Sequence, residues 1–171
     1  MGGVGSIVHV RSRPCKGCAH YNRHPRRNQR KRDPVQGLII DYAGVLDTGA
    51  EDEQRWKTLI EAVKAKDIAV GILSNEEGDG EMADKIREWE FGGRVDAVVL
   101  SGEVGAEKPE RAAFRAAADA IGVDLNDCVM IDDDIVNVRA AVEFGMIGIL
   151  HTAFDRTSVE IQSLFEVEGE F

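Results

Sequence analysis

Four short apolar runs, each followed by a polar or charged residue, limit the possible folds of this chain more than any other feature. The residues concerned are Asp41 after LII, Ser74 after IAVGIL, Lys108 in the loop GAEKPE after VDAVVL, and Asp132 after CVMI. Short apolar runs separated by stretches with helical spacing predict the buried strands of a parallel α/β sheet. Ligands of such sheets collect at the carboxyl ends of the strands, so these residues are candidates for a functional site.

The chain is expected to hold five strands that alternate with helices. The strands are predicted at 38–40, 68–73, 95–100, 128–132 and 146–150. Five helices are predicted: one at 51–66, one that ends at about 90, one that begins at 109, one at 135–145 and one that ends at about 165. A loop is predicted at 101–110. Pro109 fits the first position of a helix, where its missing N–H leaves nothing unpaired. Asp155 or Thr157 is expected to cap the last helix. The predicted fold is a doubly wound parallel five-stranded sheet.

The acidic residues have two interpretations each. Asp41, in the stretch GLIIDYAGVLDTG, is either a site carboxylate or the cap of a turn. Three adjacent carboxylates at Asp132, Asp133 and Asp134 repel one another unless a cation or a donor compensates, which favours a metal. The alternative is a solvated cluster that stabilises the amino end of the next helix. Lys108 on its own would be an ordinary solvated lysine.

Taken together and in this order, the motifs resemble those of the haloacid dehalogenase superfamily of Mg²⁺-dependent phosphohydrolases, with features similar to subfamily IA. The resemblance covers about residues 37–150 and implies the strand order 5-4-1-2-3. It implies that Asp41 attacks phosphorus, that Ser74 and Lys108 act in catalysis by holding the phosphoryl group, and that Asn75 helps to bind the substrate. It also implies an Mg²⁺ site formed by Asp41, Asp132, Asp133 and the backbone carbonyl of Ala43.

One position departs from the family pattern. Phosphatases of this family carry a second aspartate two residues after the nucleophile, where this chain has Ala43. The usual general acid and base is therefore absent, although the carbonyl of Ala43 can still bind a metal. Asp47 is close in sequence but is expected to support the turn.

The spacing of the motifs predicts a protein without a cap domain, because 33 residues separate Asp41 from Ser74 and 34 separate Ser74 from Lys108. We predict a weak phosphoester hydrolase that works through an aspartyl-phosphate. The alternative is a catalytically impaired protein that serves as a binding or regulatory module. An open site suits a phosphorylated, even macromolecular, substrate, or a homo-oligomer in which a neighbour closes the pocket.

The charge is divided between two segments, which we predict to be a disordered leader (1–36) and the hydrolase domain (37–171). The leader holds nine Lys and Arg against one acid, and the remainder holds 12 against 30. An acidic body argues against nucleic-acid binding except through the leader. Cys15, Cys18, His20 and His24 could bind zinc, although their spacing is tighter than in zinc fingers. No run is apolar enough to span a membrane, so a cytoplasmic protein is expected.

Overall fold

A computed structural model describes residues 35–171 of the 171-residue chain. The predicted leader, with its cysteines and histidines, lies outside these residues apart from its last two positions. The strands are β1 (Gly37–Ile40), β2 (Ala69–Ser74), β3 (Ala97–Leu100), β4 (Cys128–Asp132) and β5 (Ile147–Leu150). The α-helices are α1 (Ala50–Lys64), α2 (Glu81–Phe91), α3 (Ser101–Val104), α4 (Arg111–Ala120), α5 (Ile135–Glu143) and α6 (Phe154–Phe165), and a 3₁₀ turn covers Leu125–Asp127.

All five strands pair in parallel in the order β3-β2-β1-β4-β5. This is the predicted order read from the opposite edge, so the predicted fold is confirmed. β1 lies at the centre, where Ile40 is in register with Ile72 on one side and Ile131 on the other. The carboxyl end of β1 is therefore flanked by the carboxyl ends of β2 and β4.

Helices cover both faces of the sheet, which is why β1 is apolar along its whole length. Leu38 and Ile40 pack into a cluster with residues of α1, α2 and α6, and Ile39 packs on the other face against residues of α4 and α5. Each fully buried Leu or Ile contributes about 1.5–3 kcal/mol relative to an exposed side chain. An aliphatic core therefore holds both faces of the sheet.

The first helix shows why the core residues could be predicted from their spacing. Its side chains Trp56, Leu59, Ile60 and Val63 are all completely buried. The first turn carries Glu51, Asp52 and Glu53, which interact favourably with the amino end of the helix. Apolar residues three and four apart therefore form the inward face of α1.

Three local predictions were wrong. Pro109 precedes α4 rather than opening it, because a turn closed by the Glu110 amide and the Glu107 carbonyl (2.7 Å) comes first, and the helix begins at Arg111. The last helix begins at Phe154 without a side-chain cap, and Thr157 instead contacts His151. The predicted loop at 101–110 contains the one-turn helix α3.

The segments that join the central strands leave no room for a cap domain. A single helix, α1, lies between β1 and β2, and a single helix, α2, lies between β2 and β3. The predicted absence of a cap is therefore confirmed for residues 35–171. No helix in this range is both long enough and apolar enough to cross a membrane.

Candidate active site

The carboxyl ends of three neighbouring strands bring the predicted site residues together. The Asp41 amide donates to the Ile131 carbonyl at 2.9 Å and so extends the β1–β4 ladder by one residue. Ser74 ends β2 and Asp132 ends β4, and both side chains are buried. A cavity of about 240 Å³ opens here and is lined by Asp41, Ala43, Gly44, Ser74, Asn75, Glu76, Lys108, Asp132, Asp133, Asp134 and Asn137.

A buried ion cluster forms the floor of this cavity. Lys108 Nζ lies 2.7 Å from Asp41 Oδ1 and 2.7 Å from Asp132 Oδ2. The three side chains are 2%, 8% and 0% exposed, so water screens these charges poorly. One ammonium between two carboxylates leaves a net negative charge, which is unfavourable in a buried place unless a second cation compensates it.

Asn75 determines where Lys108 lies. Its side-chain amide donates to the Lys108 carbonyl (2.9 Å) and accepts from the Lys108 amide (2.8 Å). These bonds join the loop before α4 to the end of β2 across 33 residues of sequence. Asn75 thus positions the lysine, and its contact with a substrate stays a prediction.

Asp132 is held by a residue that the sequence analysis missed. Asn137 Nδ2 lies 3.1 Å from Asp132 Oδ1 and 3.2 Å from Oδ2, and the Asp134 amide donates to Oδ1 at 2.9 Å. Asn137 is buried on the inward face of α5, beside Val138. A buried amide almost always has a partner, so an asparagine on an otherwise apolar helix face was the available signal.

The acidic triplet divides into two parts. Oxygens of Asp41, Asp132 and Asp133 lie within 4.8 Å of one another, whereas Asp134 accepts from the Val136 amide (2.8 Å) and caps α5. The capping interpretation is therefore correct for Asp134 alone. The turn-cap alternative for Asp41 accounts for one contact, in which the Tyr42 amide donates to Asp41 Oδ1 at 2.7 Å, and it does not account for the cluster with Asp132 and Asp133.

Gly44 allows the loop after β1 to approach Asp133. Its φ is +74°, and a Cβ at this position would lie 2.3 Å from Asp133 Oδ2. Only glycine accommodates both the backbone angle and the contact. The Gly44 amide donates to Asp47 Oδ1 at 2.6 Å, which confirms that Asp47 supports the turn.

The surroundings of Asp41 suit a hard cation. The pKa of Asp41 is raised to about 6, chiefly by burial, with Lys108 opposing the rise and Asp132 adding to it. The carboxylate is thus mostly ionised at pH 7 despite its burial. Three clustered carboxylates supply the oxygen donors that Mg²⁺ prefers, with positions left for water, so the donor set fits this ion.

Comparisons with known proteins agree with this geometry. Residues 14–145 match the family model described as "haloacid dehalogenase-like hydrolase". An uncharacterised protein from Corynebacterium glutamicum shares 54% identity, covers 80% of this chain and 99% of its own, and superposes with a TM-score of 0.77. A HAD-superfamily hydrolase from Ehrlichia chaffeensis has a TM-score of 0.59 at 16% identity, covering 77% of this chain and 98% of its own, which supports the fold alone.

One curated relative is similar only in part. The drimenol cyclase drtB of Aspergillus calidoustus is 32% identical over 75 residues, which are 44% of this chain and 14% of the cyclase. The chain thus aligns with a small part of that protein.

Proposed function

The chain belongs to the haloacid dehalogenase-like hydrolases, and from this premise we propose that it is a slow, Mg²⁺-dependent phosphoester hydrolase that works through an aspartyl-phosphate on Asp41. The observation that carries the proposal is the buried cluster of Asp41, Lys108 and Asp132, with Asp133 within reach of the same cation. Asp41, Asp132, Asp133 and the carbonyl of Ala43 would hold the metal. When bound, Mg²⁺ supplies positive charge that offsets the repulsion between an anionic nucleophile and a phosphate dianion.

Asp41 is oriented for attack by its contacts. Its Oδ1 accepts from the Tyr42 amide and contacts Lys108, both at 2.7 Å, which fixes the plane of the carboxylate. An oxygen of Asp41 forms a bond to phosphorus while the bond from phosphorus to the leaving oxygen breaks, and the leaving oxygen then takes a proton from solvent water. Lys108 stabilises charge on the phosphoryl oxygens, and Ser74 donates a hydrogen bond to one of them.

The second half of the reaction releases phosphate. A water oxygen attacks phosphorus and gives up a proton to the solvent, the bond from phosphorus to Asp41 breaks, and the carboxylate is regenerated. The methyl group of Ala43 can neither protonate the leaving oxygen nor accept a proton from this water. General acid and base catalysis contributes about 10²–10⁴-fold, so turnover is expected to be slow on substrates with poor leaving groups.

A turnover assay with 4-nitrophenyl phosphate tests the proposal. We expect release of 4-nitrophenol that depends on Mg²⁺ and is lost in Asp41→Asn. The matched control is Asp119→Asn, a largely exposed carboxylate on α4, which should retain wild-type turnover. Activity that survives in Asp41→Asn, or that is unaffected by removal of Mg²⁺, would contradict the proposal.

A second candidate function follows from Ala43 itself. A chain without the usual proton donor could retain the pocket as an Mg²⁺- and phosphate-binding or regulatory module. This alternative expects Mg²⁺ and phosphate to bind without turnover of any phosphoester. The same assay, run beside calorimetric titration of Mg²⁺, separates the two functions.

A further inference from the structure

A larger cavity lies directly beside the candidate active site. It has a volume of about 630 Å³ and is lined by Gly44, Thr48, Asp52, Arg55, Asp133, His151, Thr152, Ala153, Phe154 and Asp155. Gly44 and Asp133 also line the smaller cavity around Asp41, so the two spaces adjoin. The volume falls in the range of pockets that bind small molecules. In a protein without a cap, such a neighbouring cavity is available to hold the rest of a substrate.

Two helix ends meet at this cavity. The first turns of α1 and α6 contribute residues to its wall, and in neither helix does a side chain cap the amides of the first turn. The helices are 15 and 12 residues long. Uncapped first-turn amides need acceptors from water or a ligand, so the wall offers hydrogen-bond donors.

His151 adds a buried donor and acceptor. The residue is 6% exposed and lines the cavity, and its Nδ1 lies 2.9 Å from Thr157 Oγ1. Its Nε2 has no hydrogen-bond partner among residues 35–171. Trp56 Nε1 is the one unpaired side-chain atom in this range that is fully sealed from solvent, so Nε2 is not sealed. Because Nδ1 is engaged by Thr157, Nε2 is the ring nitrogen available to a ligand in the cavity. A buried polar atom left open in this way points to a ligand or an ordered water.

The charges of the wall indicate what kind of group fits. Arg55 pairs with Asp52 and Asp155, and its guanidinium stacks on the Phe154 ring at 4.2 Å. The arginine is thus neutralised, and with Asp133 the acids outnumber it. A second phosphate or a carboxylate would be repelled here. Hydroxyl groups both donate and accept hydrogen bonds, and they match a wall of amides, carboxylates, threonine hydroxyls and an imidazole.

We propose that this cavity binds the leaving group of a phosphomonoester, and that this leaving group is an uncharged polyhydroxylated carbon chain or ring, that is, a polyol or a sugar. The inference rests on the proposed function, because it places the phosphoryl group at Asp41. His151 and Thr48 are the residues whose hydrogen bonds would select hydroxylated substrates. Neither residue takes part in bond breaking.

Binding to the full-length Asp41→Asn chain in the presence of Mg²⁺ tests the inference. D-glucose 6-phosphate and n-hexyl phosphate are paired probes, since both carry six carbons and one primary phosphate and differ in the hydroxyl groups and ring of the sugar. We expect calorimetry to show the sugar phosphate binding at least about tenfold more tightly, as several hydrogen bonds of modest strength would give. Thr48→Ala and His151→Asn should each reduce this preference about fivefold, the usual effect of one hydrogen bond.

The control is Thr58→Ala, the same substitution within helix α1 and outside the cavity, where the one hydrogen bond of Thr58 Oγ1 found among residues 35–171 is to Gln54 O. This variant should retain the full preference. Equal binding of the two probes, or a preference that survives Thr48→Ala and His151→Asn, would overturn the inference. Thr48 is exposed, so its variant remains informative if the buried His151 does not tolerate substitution.

The experiment also separates this inference from the proposed function. A wild-type chain that hydrolyses no phosphoester, combined with a sugar preference in Asp41→Asn, would refute the enzyme and leave a sugar-phosphate-binding site. Mg²⁺-dependent hydrolysis of 4-nitrophenyl phosphate without any preference between the two probes would refute the cavity's role alone.

Discussion

The two ends of the parallel strands are built on opposite principles. At the amino ends, Gly37 is in register with Ala69 and Cys128, and these small residues are packed so closely that a Cβ at Gly37 would lie 2.9 Å from Cys128 Sγ. At the carboxyl ends, the same strands present the charged cluster around Asp41 and Asp132. One edge gains stability from packing, whereas the other keeps unbalanced charge where a ligand can reach it.

The comparison shows that the unfavourable burial of charge is confined to the carboxyl ends of the strands. Burying two carboxylates against one lysine is weak grounds for stability, since the desolvation of ions offsets much of their attraction. A cluster of this kind suits a site that a cation and a phosphate complete. Changes at the amino ends should therefore affect stability alone, and changes at the carboxyl ends should also affect the response to Mg²⁺.

The largest expected effect is that of Lys108→Met. Removing the ammonium leaves two buried carboxylates uncompensated, so we expect a loss of about 3–5 kcal/mol in the free energy of unfolding. Mg²⁺ should recover part of it, because a ligand that binds only the folded chain stabilises it. Urea denaturation with and without Mg²⁺ measures both effects.

Lys64→Met is the matched control for that change. Lys64 Nζ pairs with Asp96 at 2.7 Å, but the two side chains are 26% and 40% exposed. Such a pair contributes less than about 1 kcal/mol. Equal losses of unfolding free energy in the two variants would contradict the claim that the carboxyl edge buries uncompensated charge. A Lys108→Met protein whose stability does not respond to Mg²⁺ would contradict it as well.

The next effect belongs to the opposite edge. In Gly37→Ala the new methyl group would lie 2.9 Å from Cys128 Sγ and 3.0 Å from Ile121 Cδ1. Overpacking of this kind costs about 1–3 kcal/mol, and we expect Mg²⁺ affinity to stay unchanged. Adding Cys128→Ala should restore part of the stability by removing the sulfur. A stable Gly37→Ala protein would mean that this edge is loosely packed.

Gly44→Ala and Gly93→Ala form a sharper pair. Both glycines have similar backbone angles, with φ of +74° and +70°, so alanine should destabilise each by about 1 kcal/mol. A Cβ at Gly93 meets nothing within 4 Å, whereas one at Gly44 displaces Asp133. We therefore expect only Gly44→Ala to weaken Mg²⁺ binding, about tenfold, as other changes beside metal ligands do. Equal Mg²⁺ affinities of the Gly44→Ala and Gly93→Ala proteins, measured by calorimetry, would show that Asp133 is not part of the proposed metal site.

The smallest effect concerns the pH dependence of the packed edge. Burial raises the pKa of Cys128 from 9.0 to about 12. The folded chain then holds this proton more tightly than the unfolded chain, so the contribution is fully present below pH 9 and is lost as the pH rises towards 12. Stability should fall by roughly 1 kcal/mol more in the wild type than in Cys128→Ala by about pH 9.5. Parallel pH profiles of the two proteins would contradict a sealed thiol.

Features that depend on local pattern were predictable from the sequence, and features that depend on distant partners were not. The buried face around Trp56 and the position of Asp41 at a strand end follow from spacing, because apolar periodicity reports burial directly. The strand order came through the resemblance, since no local pattern states which strands are neighbours. Asn75, which binds a backbone 33 residues away, could be placed at the site but not given its positioning role.

The errors at helix ends have the same cause. Thr157 has the side chain of a good cap, but its hydroxyl bonds to His151, which arrives from the end of β5. Proline is a residue type that favours a helix start, but the turn before α4 and the contacts of Lys108 with Asn75 hold Pro109 outside the helix. In each case a tertiary contact overrode a local preference.

The most direct test of the central claim, that Asp41 is a nucleophile lacking only its proton donor, is the turnover of Ala43→Asp on an alkyl and an aryl phosphate. Alkoxide leaving groups need a proton, so turnover of n-hexyl phosphate should rise about a hundredfold, the low end of a general acid's contribution, and far more than that of 4-nitrophenyl phosphate. This is nearly 3 kcal/mol of barrier. Addition of Asp41→Asn should abolish the gain. A folded Ala43→Asp protein that binds Mg²⁺ and hydrolyses neither ester would contradict the claim.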